Sequence, residues 1–265
     1  MSWKAIARST VGTSHIKQQM PCQDYGGCKI LNNLIIGAVA DGAGSAKYAD
    51  IGAKLAVETV LEYLAGVEEW LQKRKHFWES TQEPLSESEA IKFFTKTLNK
   101  VVTALSAQAV SKGYSIDNLA CTLLVVIATP EWVAAMQIGD GFIVVRAGQE
   151  DHILLFAPDK GEYINETTFV TSANALDQMK VSVLSGKPEF ICASTDGLER
   201  VAIRMSDNTP FTPFFQPLEE YLQESSNPEQ SDEYLMKFLD SDRLNARTDD
   251  DKTLLLCLYD SPHSR

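Results

Sequence analysis

Five aspartates, far apart along the chain, carry the chemistry this sequence can do. Asp41 lies in VADGAGSA, Asp140 in QIGDG, Asp196 in ASTDGLE and Asp250 in TDDDKTLLL, and Asp24, in PCQDYGG, belongs with them. Carboxylates are hard oxygen ligands suited to Mg²⁺ or Mn²⁺. An apolar strand that stops abruptly at Asp-Gly delivers a carboxylate from the core at a fixed place, and glycine lets the chain turn sharply and approach a ligand closely. A lone Asp-Gly is ordinarily a turn or a helix cap. Several strand ends of this kind, distant in sequence, imply one metal site assembled by the fold and a metal-assisted hydrolysis. No Gly-x-Ser-x-Gly elbow, phosphate-binding Gly-x-x-x-x-Gly-Lys-Ser/Thr loop or EF-hand loop is present to suggest other chemistry.

The elements that must position these residues are readable from periodicity. Residues 3–9 read as a strand, and 28–31 with 34–40 as a hairpin around Asn32-Asn33, since Asn tolerates the left-handed turn. LIIGAVA, ending at Asp41, is apolar throughout and so buried on both faces. Residues 46–65 carry Ala49, Ala53, Ala56, Val57, Val60, Leu61 and Leu64 at helical spacing, with Gly66 as the stop. A second helix starts at Ser86 with a capping box to Glu89 and an apolar stripe Ile91, Phe94, Leu98, Val101, Val102, Leu105 facing the core. A meander of strands follows at 120–129, 131–138, 142–147 and 151–157, then a segment without clear period at 158–187, where a flap is expected. A strand at 189–195, a short helix within 198–204, a three-proline loop at 205–217, helical stretches at 218–224 and 231–239, and a last strand at 253–259 complete the order. The fold class is α+β, with a large sheet core between helices in a single domain spanning 1–265.

Composition narrows the partners. The chain has 265 residues and a net charge of −12, from 24 Lys and Arg against 36 Asp and Glu, which excludes a broad nucleic-acid surface. The opening MSWKAIARSTVGTSH lacks a signal peptide's apolar core, and no apolar run of membrane-spanning length occurs. Five Cys without a CxxC pair read as reduced thiols of a cytoplasmic protein. His76 and His152 are isolated and read as surface residues.

In order along the chain, D-Y after a Gly-rich start, A-D-G-A-G-S-A before a helix, C-T-L-L-V-V…I-G-D-G in a meander, S-T-D-G-L after a strand and D-D-K-T-L-L-L before the final strand resemble the protein phosphatase 2C family. The resemblance covers about residues 5–259, and GTSHIKQQMPCQDY is similar to its compact bacterial members. It implies a sandwich of two antiparallel-rich sheets flanked by helices (α-β-β-α) and a two-metal centre of Mn²⁺ or Mg²⁺ with a possible third ion. By motif, Asp41 bridges the two ions, the Gly42 carbonyl binds one, Asp196 and Asp250 hold the other, Asp24 holds metal-coordinated water, and Asp140 holds the third. Asp250 is chosen from Asp249–Asp251 because the family pattern Asp-x-x-Thr then ends on Thr253. The implied reaction is hydrolysis of phosphoserine and phosphothreonine in proteins by a hydroxide shared between the cations, with a partner serine/threonine kinase opposing it. Two positions depart from the pattern: Ala43 stands where the family has a leaving-group His, and Gln19 where it has a phosphate-gripping Arg. His15, suited to acid catalysis, and Lys17, a phosphate point charge, are the candidate substitutes. The same departures leave a catalytically weak, partner-binding phosphatase-like domain as the alternative.

Overall fold

The computed structural model describes residues 2–67, 71, 83–148, 150–156, 167–230 and 232–260. Two five-stranded antiparallel sheets stack face to face. One has the order β1 (Ser2–Thr10), β12 (Lys252–Asp260), β9 (Pro188–Ser194), β6 (Phe142–Ala147), β7 (Ile153–Leu154). The other runs β2 (Tyr25–Leu31), β3 (Leu34–Ala40), β4 (Leu123–Ala128), β5 (Trp132–Ile138), β8 (Lys180–Ser185). A two-stranded ribbon, β10 (Ile203–Arg204) with β11 (Thr209–Pro210), forms a small sheet of its own beside β7.

The alternation of side chains explains why β3 and β12 read as unbroken apolar runs. Leu34, Ile36, Ala38 and Ala40 face the helices, whereas Ile35 and Val39 face the opposing sheet. In β12, Leu254, Leu256 and Leu258 face outward to helices, and Leu255 and Cys257 face the inter-sheet core. On the β3 side, α2 (Ala49–Leu64) and α3 (Glu87–Lys112) cover the sheet, and every residue of the expected α2 stripe is buried. The Ser86–Glu89 capping box forms with both of its hydrogen bonds, so the start of α3 falls where the sequence put it. On the β12 side lie α5 (Glu199–Ala202), α6 (Thr212–Glu224), α7 (Glu233–Leu239) and α8 (Asp242–Asn245), with α1 (Thr13–Gln18) and α4 (Ala175–Gln178) at the loops. The architecture is the expected α+β, four-layer sandwich.

Several local expectations are corrected. Of the expected α3 stripe, Phe94, Leu98, Val101 and Leu105 are buried and Val102 packs against them, but Ile91 is 42% exposed and Ala90 holds the buried position beside it. The three-proline segment is helical from Thr212: Pro213 sits in the first turn, where no amide hydrogen is needed, and burial of Phe214, Phe215, Leu218 and Leu222 holds α6 despite Pro217 inside it. Among the described residues of 151–157 the strand itself is short, Ile153–Leu154, with the Leu155 N–H still donating to the Ile143 carbonyl (2.9 Å), at the sheet edge where only one neighbour is available. His152 is buried, not on the surface, and hydrogen-bonds Glu219. Of the expected flap segment 158–187, Lys180–Ser185 is a sheet strand, and residues 157–166 lie outside the described residues, as does His76. Among the described residues no helix is long and apolar enough to cross a membrane.

Candidate metal centre

All five aspartates sit at strand ends on one end of the sandwich. Asp41 follows β3 directly, and its backbone is locked from both directions: its N–H donates to Thr122 Oγ1 (2.9 Å), and the Thr122 N–H donates to its carbonyl (2.8 Å). Gly42 then bridges Cys121. Asp140 lies in the tight connection between β5 and β6, Asp196 opens a 3-10 turn after β9, Asp250 stands two residues before β12, and Asp24 immediately precedes β2.

Asp41, Asp140 and Asp196 each present a carboxylate oxygen, and these oxygens all lie within 4.8 Å of one another. Asp250 stands close enough to raise the proton affinity of both Asp41 and Asp196. Asp24, 5% exposed, accepts the Thr195 hydroxyl (2.6 Å) and shares a hydrogen bond with Asp41. Burial pushes the Asp24 and Asp41 carboxyls well above the usual carboxylate range, and for Asp41 the charges of Asp24, Asp196 and Asp250 add to it. Asp196 is raised to about 7, by burial and then by Asp140 and Asp250. Neighbouring carboxylates this close cannot all ionise unless a cation neutralises them. An all-oxygen donor set with crowded negative charge therefore fits divalent Mg²⁺ or Mn²⁺.

The acidic trio divides its labour. Asp250 acts on Asp41 and Asp196 through its charge, and its Oδ1 accepts the Asp251 N–H (2.9 Å). Asp251, 3% exposed, accepts instead from the Gly12 N–H (2.6 Å), the Gln23 N–H (2.5 Å) and His15 Nδ1 (3.0 Å). This close meeting of segments depends on two glycines: a Cβ at Gly12 or Gly197 would collide with the backbone of 249–251. Lys252 is fully buried, its Nζ donating to Asn245 Oδ1 (2.9 Å) and the Asp250 carbonyl (3.4 Å).

His15 is thus brought beside the centre on α1, and Lys17 is exposed on the same helix. Gln19 is the exposed, left-handed cap of α1 (φ 58°). Ala43 is packed with Ala46, Ala49, Ala120 and Phe169, so its place is filled by hydrophobic contact rather than by a polar group. Sequence reasoning missed Thr195, Asp251 and Thr167, whose hydroxyl donates to Asp140 (2.7 Å). Thr195 and Asp251 adjoin aspartates that motif reading singled out, which was the available signal. Thr167 comes from a segment without period and gave none.

The family described as Protein phosphatase 2C matches residues 11–240. The chain belongs to the protein phosphatase 2C family. This phosphatase is 38% identical over 267 aligned residues to Serine/threonine-protein phosphatase 3 of Escherichia coli (strain K12), covering 98% of this chain and 99% of that one. Its fold is shared with the serine/threonine phosphatase Stp1 from Staphylococcus aureus (TM-score 0.60, 12% identity, 98% of this chain and 96% of that one). It is shared too with RsbX in complex with magnesium (TM-score 0.55, 13% identity, 97% and 95%). Family membership makes the chain a metal-dependent protein phosphatase.

Proposed function

We infer that this phosphatase hydrolyses phosphoserine and phosphothreonine in proteins at the aspartate cluster, acting as one catalytic unit. The observation that carries the reading is the convergence of Asp41, Asp140 and Asp196 oxygens within 4.8 Å, with Asp250 beside them. Mn²⁺ or Mg²⁺ would be held as two ions by Asp41, the Gly42 carbonyl, Asp196 and Asp250, with a third at Asp140 and with Asp24 holding coordinated water. Bound there, the ions supply a nucleophilic oxygen near neutral pH and offset charge on the phosphoryl group. The chain's own residues do the rest. Thr122 fixes the Asp41 backbone, Thr195 fixes the Asp24 carboxylate, and the 249–251 loop sets Asp250. His15, with Lys17 further out on α1, is the candidate for the contact to the phosphoryl group that Gln19 and Ala43 do not make.

The reading as a catalytically weak binding domain is not favoured, because aspartates occupy all five motif positions and Asp24, Asp41 and Asp196 sit there at a cost to their own ionisation. A phosphoprotein is the substrate class. A partner serine/threonine kinase and a cytoplasmic setting, where the five free cysteines stay reduced, complete the proposal.

The test is hydrolysis of p-nitrophenyl phosphate and a phosphothreonine peptide with Mn²⁺, with Mg²⁺ and with EDTA, for the parent and Asp196→Asn. Metal-dependent turnover lost in Asp196→Asn is expected. A folded parent inert with both metals would overturn the reading.

A further inference from the structure

Asp251 has no place among the metal ligands assigned above, yet both of its carboxylate oxygens are fully engaged. It is almost completely buried and collects three donors from two segments more than 200 residues away in sequence: the Gly12 and Gln23 amides and the His15 ring. Two of these donors are backbone N–H groups, one on each Asp251 oxygen. Its Oδ2 takes the Gln23 amide and His15 Nδ1 together. An ionised carboxylate only accepts, so in this pairing His15 Nδ1 carries the hydrogen and Nε2 is the ring nitrogen that Asp251 does not engage.

We propose that Asp251 is a positioning residue of this phosphatase, holding His15 in one ring orientation with Nδ1–H toward Asp251 and Nε2 presented to the substrate's phosphoryl group. The proposal rests on the hydrolase reading above. Three features give it form. The side chains of His15 and Asp251 are only 14% and 2% exposed, so the imidazole is confined rather than swinging in solvent. The Asp251 amide donates to Asp250 Oδ1, which ties the orienting carboxylate rigidly to the metal-binding one. Helix α1, which carries His15, is itself pinned to this loop by the Ser14 N–H donating to the Asp249 carbonyl (2.9 Å). A carboxylate that fixes a histidine tautomer in this way serves a reacting ring even though it never touches substrate, and its replacement by Asn presents an amide donor to a nitrogen that must itself donate.

The experiment has two arms. Nitrogen-15 NMR of the imidazole in the metal-free protein, with His15→Gln for assignment, reads the tautomer directly. The parent is expected to show hydrogen on Nδ1 of His15, and Asp251→Asn to move it to Nε2. Kinetics on a phosphothreonine peptide at saturating Mn²⁺ then compare His15→Gln, Asp251→Asn and the double variant. Each single variant is expected to lose about 10²-fold in kcat/KM, the double variant no more than either, and Mn²⁺ affinity by calorimetry to stay within about threefold, well under 1.4 kcal/mol. His15→Gln retains both backbone bonds to Asp251, so it remains informative should Asp251→Asn not fold. An Nε2–H tautomer in the parent, or His15→Gln with parental kcat/KM, overturns the proposal. A parent that fails to hydrolyse any phosphate ester while showing the Nδ1–H tautomer overturns the hydrolase reading instead, so the two failures are distinguishable.

Discussion

Strand β6 runs between two acidic places, each with carboxyls withdrawn from water, that solve the same problem in opposite ways. Just before its first residue stands Asp140, with Asp41 and Asp196 close by. Near its other end, Arg146 forks onto Glu219 (Nη2 to Oε2 2.8 Å) and reaches Glu189 (3.1 Å), while His152, stacked on Phe215 with ring centroids 5.1 Å apart, hydrogen-bonds Glu219 from the other side. Burial pushes Glu219 up, but the bonds from His152 and Arg146 outweigh it and hold the carboxyl below its ordinary value. At the Asp41 end, burial acts unopposed and neighbouring carboxylates add to it. The lesson is that the chain knows how to neutralise a buried acid from within. Where it does not, the missing charge has to come from outside, and an all-oxygen donor set fits a metal cation.

The largest effect that would break this comparison is at the cation-seeking end. Asp41→Asn is expected to lose on the order of 10³-fold or more in metal-dependent hydrolysis, ~4 kcal/mol of transition-state stabilisation, with Mn²⁺ binding by calorimetry lost in parallel and the fold intact by circular dichroism. At the internally paired end the expectation is reversed. Arg146→Ala leaves Glu219 buried with half its partners and should cost about 3 kcal/mol in urea unfolding, while Mn²⁺ affinity stays at the parental value.

A third contrast is in pH. The raised carboxyls bind protons more tightly folded than unfolded, so the stability they contribute is present in full below the unfolded carboxylate range and lost as pH rises through their folded values, about 7 in the case of Asp196. The melting temperature of the metal-free parent, relative to Asp41→Asn, should therefore fall between pH 5 and pH 8, and saturating Mn²⁺ should abolish the fall. Equal slopes in parent and variant would count against crowding as the defining property of the site. The smallest effect is at Thr167, whose hydroxyl occupies Asp140. Thr167→Val removes that competitor, and the weakest Mn²⁺ site should tighten by about two- to fivefold, ~1 kcal/mol or less, the worth of one hydrogen bond.

What could be read ahead of the structure follows the same division. Asp41, Asp140 and Asp196 were legible because each interrupts an apolar strand, and a polar residue at such a boundary has few structural reasons to be there. The two-faced burial of β3 and the Ser86 cap were legible because period and capping are local properties. The Arg146–Glu219–His152 cluster was not, since its members come from β6, α6 and the approach to β7 and meet only through tertiary packing. Asp251 was hidden for a different reason. Three successive aspartates are chemically alike on paper, and only the approach of Gly12 and Gln23 sets Asp251 apart from its neighbours. Helix α6 was obscured because local proline chemistry argued against it and the aromatic face of Phe214 and Phe215, fixed by distant partners, prevailed.

The pairing of β1 with β12 along its whole length, from Ser2 opposite Asp260 to Thr10 opposite Lys252, has a consequence for biosynthesis. Asp250, and the loop that seats His15, are among the last of the described residues to leave the ribosome, whereas Gly12, His15 and Asp24 are among the first. The hydrogen bonds that join Asp251 to Gly12, His15 and Gln23 therefore form only after more than 200 intervening residues have been made.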